Sequence, residues 1–182
     1  MGIGEKLAKS LFIASFVIFL NINVSAQENQ LVKWHTIEEV QELVKKEPRK
    51  IYIDMYTDWC GWCKVMDKKT FTDPDIADHL NTNFYAVKFD AEGKENVDFK
   101  NQTFKFVAQG SRGYHELAAA LMQGKMSYPT SVFLDENLNI IAPLPGFQKP
   151  EQLDPILEFI GDDHYKTSNY EQFLAKKGSL NN

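Results

Sequence analysis

Two cysteines separated by two residues, Cys60 and Cys63 in Trp59-Cys60-Gly61-Trp62-Cys63-Lys64, are the sharpest chemical signal in a sequence that holds no other cysteine. Such a pair can close a small disulfide ring. Where it opens a helix, the first cysteine meets unpaired backbone N–H groups and the positive end of the helix dipole, which favour thiolate over thiol. Cys60 is then the attacking group, and Cys63, one turn inside, resolves the mixed disulfide that forms. Half of a zinc site, a soft-metal clamp and a chance pair share this spacing. Zinc requires two more ligands, whereas His35, His79, His115 and His164 are single and scattered, so no resident metal is expected. The alternative reading is a Cu(I)-binding module in which Cys60 and Cys63 are helped by Met66 or Met126, because thiolate and thioether suit that ion.

The cysteines need a strand before them and a helix after them, and the flanking residues supply both. Lys50 to Tyr56 carries Ile51, Ile53 and Met55 on one side and Tyr52, Asp54 and Tyr56 on the other, which predicts a central strand with large residues on both faces. Val65, Met66 and Lys69 continue from the motif with helical spacing to about Thr70. Upstream, Leu31 to His35 reads as an edge strand and Thr36 as the first residue of a capping box with Glu39, opening a helix that Pro48 stops. Downstream, Asp73 caps a short helix from Pro74 to about Leu80, and Phe84 to Phe89 is the next strand.

Residues 91–126 read as an elaborated crossover with an extended piece at Thr103 to Val107 and a helix from Tyr114 to Met122. Ser131 to Leu134 and Asn139 to Ala142 form a hairpin around Asp135-Glu136-Asn137. A last core helix after Pro150 presents Leu153, Ile156, Leu157 and Ile160, and a tail helix spans Asn169 to Lys176. The order predicts an α/β fold whose central mixed sheet, parallel in part with an antiparallel edge pair, is flanked by helices.

The first residues are of another kind. Lys6 and Lys9 precede the apolar run Leu11 to Leu20, and Val24-Ser25-Ala26 follows, the charged, apolar and small-residue order of a signal peptide. A membrane anchor or a first domain helix is the bland reading, but the run is shorter than a spanning helix needs. Residues 1–26 are therefore expected to be cleaved, with 27–161 the domain and 162–182 a C-terminal tail, leaving no stable membrane anchor. The net charge of −5 argues against nucleic acid as partner. No glycine-rich phosphate loop, His-Glu-x-x-His or nucleophile elbow is present, so no cofactor is expected.

With these residues in place, the sequence resembles the thioredoxin superfamily over roughly Lys50 to Ile160. Trp59 to Lys64 is similar to that family's Trp-Cys-Gly-x-Cys-Lys site, Tyr128-Pro129-Thr130 to its cis-proline loop, and Asp54 and Lys88 to its buried carboxylate and that carboxylate's partner. The resemblance implies a thioredoxin-like fold and thiol–disulfide exchange on protein disulfides. Cys60, Cys63, Asp54 and Lys88 would carry the chemistry, Asp54 as proton relay for Cys63 and Lys88 as its tuner. Trp59, Gly61, Trp62, Tyr128 and Pro129 would form the docking surface. It also implies a periplasmic protein recharged by a membrane or periplasmic electron donor. Gly-Trp between the cysteines departs from the Gly-Pro and Pro-His of well-known members, and the absence of a histidine there favours reduction first and isomerisation second.

Overall fold

A computed structural model describes residues 31–180 of the chain. The signal peptide expected over 1–26 and the polar leader from Gln27 lie outside the described residues. Among those described, no helix is long and apolar enough to cross a membrane.

A five-stranded sheet organises the molecule. Its strands are β1 (Trp34–His35), β2 (Lys50–Tyr56), β3 (Phe84–Asp90), β8 (Thr130–Leu134) and β9 (Ile140–Pro145), in the order β1-β3-β2-β8-β9. β2 lies at the centre, parallel to β3 and antiparallel to β8. Alternation along β2 sends Ile51, Ile53 and Met55 to one core and Tyr52 to the other. The first core is closed by α1 (Ile37–Lys46) and α4 (Glu116–Leu121). The second is closed by α2 (Gly61–Lys69), α3 (Pro74–Asn83) and α5 (Pro150–Gly161).

Local signals explain where these helices begin. Thr36 and Glu39 form the reciprocal capping box at the start of α1. Asp73 accepts from the N–H groups of Asp75 and Ile76, with Pro74 at the first helical position of α3. That helix runs three residues past the expected Leu80, because Leu80 is itself buried and the turn closes only where Phe84 enters β3.

Two expectations are corrected. The crossover is mostly β-structure: β4 (Val97–Phe99) pairs with β5 (Gln102–Phe104), and β6 (Phe106–Gln109) with β7 (Arg112–His115). The extended piece expected at Thr103 to Val107 straddles two hairpins, and Tyr114 belongs to β7, leaving only Glu116–Leu121 helical. The expected edge strand shrinks to Trp34–His35. The tail helix expected over Asn169 to Lys176 is present as α6 (Tyr170–Leu180), which lays Phe173 against Phe159 at 5.3 Å, while Lys50 reaches Asp163 at 2.8 Å and the Gly161 carbonyl at 3.1 Å.

Candidate active site

At the C-terminal end of the central strand the chain turns through Thr57 and Asp58 into α2, placing both cysteines on its first turn. They are joined as a disulfide, with Cα atoms 5.3 Å apart. Cys60 is the N-cap, and its Sγ accepts the backbone N–H of Cys63 at 3.1 Å. A sulfur in this position receives the partial positive charge of the helix terminus, which favours its thiolate after reduction. In the disulfide form the two residues are nearly alike in burial, 4% and 2% exposed. Helix position is what distinguishes them.

Around this nearly covered disulfide the surface is aromatic. Trp59 and Trp62 are 51% and 62% exposed. Trp59 meets the Tyr128 ring edge-on at 5.9 Å, and Trp62 lies 5.4 Å from Phe147 in the segment between β9 and α5. The Tyr128–Pro129 peptide is cis. The Pro129 carbonyl accepts from Gly146, whereas the Tyr128 main chain makes no hydrogen bond with another described residue. Gly61 faces open space, where an added Cβ would meet nothing. The Arg112 guanidinium, carried in by the β6–β7 hairpin, lies 4.4 Å from the centre of the Trp59 ring. Burial pushes the Tyr128 phenol up to about 12, aided by the nearby charges of Glu92 and Asp90, so it stays neutral at ordinary pH.

Beneath α2 lies Asp54, 0% exposed, opposite Lys88 on β3 and Ser131 on β8. Ser131 is occupied by the Tyr52 hydroxyl at 2.8 Å. Lys88 Nζ pairs with Asp54 Oδ2 at 3.3 Å and makes its closer contact, a hydrogen bond, with Asp67 Oδ1. Burial raises the Asp54 carboxyl to about 6, the Lys88 charge opposes that rise, and Asp67 adds to it. A carboxyl so placed can hold or release a proton near neutrality.

Asp54, Lys88, Trp59, Trp62, Tyr128 and the two cysteines thus gather at one end of the sheet. Gly61 joins them as open backbone only. Asp67, Phe147 and Arg112 were missed in the sequence. Asp67 carried a usable signal, since it follows Cys63 by one helical turn and so shares its face. Met66, a suggested thioether ligand, belongs instead to the core cluster with Tyr52 and Phe71. No group of three or more His, Cys, Asp or Glu side chains suited to a metal occurs among the described residues.

Residues 22–152 match the family Thioredox_DsbH, described as a protein of unknown function, DUF255. Over 138 residues the chain is 30% identical to the thiol:disulfide interchange protein DsbD of Vibrio vulnificus (strain CMCP6), a match covering 73% of this chain and 20% of that protein. An uncharacterized protein of Caenorhabditis elegans, B0495.5, is 29% identical over 114 residues, 62% of this chain and 14% of the relative. The chain therefore spans about a fifth or less of these two curated relatives. A thioredoxin from Thermus thermophilus superposes with a TM-score of 0.53 at 17% identity, covering 71% of this chain and 86% of that one. The fold is thioredoxin-like.

Proposed function

Because the chain belongs to the Thioredox_DsbH family, we propose that it is an exported thiol–disulfide oxidoreductase that reduces, or isomerises, disulfides in protein substrates through a Cys60/Cys63 cycle. The observation that carries this reading is the placement of Cys60 as N-cap of α2, its Sγ on the Cys63 N–H, between two exposed tryptophans. In the reduced protein the Cys60 thiolate attacks one sulfur of a substrate disulfide, forming a mixed disulfide and expelling the other sulfur as thiolate. Cys63 then gives its proton to the Asp54 carboxylate and attacks Cys60 Sγ. The Cys60–Cys63 disulfide re-forms, the substrate leaves as a dithiol, and two electrons have passed to it. A dithiol donor of the periplasm or its membrane reverses the cycle.

Substrate docking is assigned to Trp59, Trp62 and the Tyr128-Pro129 loop. The unpaired Tyr128 main chain suits an extended substrate segment, since main-chain pairing accepts many sequences. Export rests on the order of Lys6, Lys9, Leu11 to Leu20 and Val24-Ser25-Ala26. The DsbD name of the Vibrio relative supports both the exchange chemistry and a redox partner. The test is trapping: Cys63→Ser, mixed with a disulfide-bonded protein, should accumulate a mixed disulfide through Cys60, and Cys60→Ser should accumulate none. Trapping through Cys63, or none in either variant, would overturn the proposal.

A further inference from the structure

Lys88 stands between two carboxylates of unlike exposure. Asp54, opposite it in the β2–β3 register, has a side chain only 1% exposed, whereas the Asp67 side chain, on α2 four residues beyond Cys63, is 39% exposed. The ammonium is fenced by rings, with Tyr56, Trp34 and Phe71 at 5.1, 5.4 and 5.6 Å, so its stem is confined and its choice of partner narrow. Its closer contact is with Asp67, while Asp54 pairs with the same ammonium at 3.3 Å, which holds the Asp54 carboxyl down against its burial.

We propose that Asp67 is a positioning residue: by holding the Lys88 ammonium on α2, it prevents Lys88 from locking Asp54 into a permanently ionised pair and so keeps Asp54 able to exchange a proton with Cys63. The proposal rests on the exchange chemistry proposed above and names a device that regulates that site. An ammonium hydrogen-bonded to a buried carboxylate favours its charged form and weakens it as a base. The charges acting on Asp54 are Lys88 from β3 and Asp67 from α2. Tyr52 and Tyr56, which share β2 with it, have phenols raised chiefly by burial and stay neutral, and Cys63 does not titrate while bonded to Cys60. Loss of Asp67 therefore acts twice in one direction, removing a negative neighbour and releasing Lys88 toward Asp54.

The test is a carboxyl carbon-13 NMR titration of Asp54 in the oxidised protein, which needs no turnover. Asp67→Asn should lower the Asp54 midpoint by about one unit, Lys88→Leu should raise it, and Asp67→Glu should return it toward the parent value. In the Lys88→Leu background, Asp67→Asn should shift the midpoint by less than half as much, because only the direct charge effect remains. In the reduced protein, the acid limb of the pH profile for mixed-disulfide resolution should move to lower pH in Asp67→Asn. An unmoved midpoint in Asp67→Asn would overturn the proposal, and so would an equal shift with and without Lys88. A chain inactive on every disulfide, yet showing these shifts, would instead contradict the exchange reading while leaving the Asp67–Lys88–Asp54 coupling in place.

Discussion

Replacing Asp54 by asparagine should change the stability of the oxidised protein in a pH-dependent way. Asp54 is 0% exposed, and burial raises its carboxyl from 3.8 to about 6. At 1.36 kcal/mol per unit, that rise corresponds to roughly 3 kcal/mol between the two protonation states. Below about pH 3 the carboxyl is protonated in both folded and unfolded chains and costs nothing. As pH rises through the interval from 3.8 to about 6, the unfolded chain ionises more readily than the folded one, so the parent loses stability, and above it the loss is complete. Asp54→Asn has no such loss. Its buried amide carries a pH-independent cost of about 1–3 kcal/mol if left unpaired, so the absolute difference at one pH decides little. Urea unfolding of both oxidised proteins at about pH 4 and about pH 8 isolates the term: the variant should gain roughly 2 kcal/mol on the parent between those conditions. A difference that stays constant with pH would refute the assignment of a buried, proton-accepting Asp54.

Two further outcomes follow from the same geometry. Trp62→Ala removes a 62% exposed ring that leans on Phe147, so kcat/KM for a disulfide-bonded protein should fall about three-fold or more while reduction by dithiothreitol is little changed; equal effects on both would remove Trp62 from docking. Phe173→Ala should destabilise the fold by about 3 kcal/mol in thermal or urea unfolding, because Phe173 is buried beside Phe159 and His164; a loss below about 0.5 kcal/mol would mean that α6 contributes nothing to the core.

What could be read in the sequence was whatever local chemistry dictates. Thr36 with Glu39, and Asp73 with Pro74, mark helix starts by hydrogen bonds that need no tertiary context. Large apolar residues on both faces of Lys50–Tyr56 required a strand covered twice, and it lies at the sheet centre. The crossover failed as a reading because its strands are only three or four residues long and its turns lie partly on non-glycine residues. Lys100 and Asn101 turn the first hairpin with φ of 51° and 63°. The second hairpin turns at Gly110, with φ of 61°. The start of α4 was misplaced because its cap is His115, whose Nδ1 accepts from the Leu117 N–H, an unusual cap that helix-start rules do not anticipate. In the site, spacing singled out Cys60 and Cys63, and the strand before them, the helix after them and the resemblance of Trp59 to Lys64 to the thioredoxin motif pointed to their redox role. Arg112 was not legible, since only the folded hairpin brings it over Trp59.

The most direct test of the central claim is the reduction potential of the Cys60/Cys63 couple, measured by equilibrating the purified protein with defined ratios of reduced and oxidised glutathione or dithiothreitol. The account predicts a reversible two-electron couple nearer the about −270 mV of thioredoxin than the about −120 mV of strong oxidants. A potential near about −120 mV, or a disulfide that does not exchange with either buffer, would contradict it.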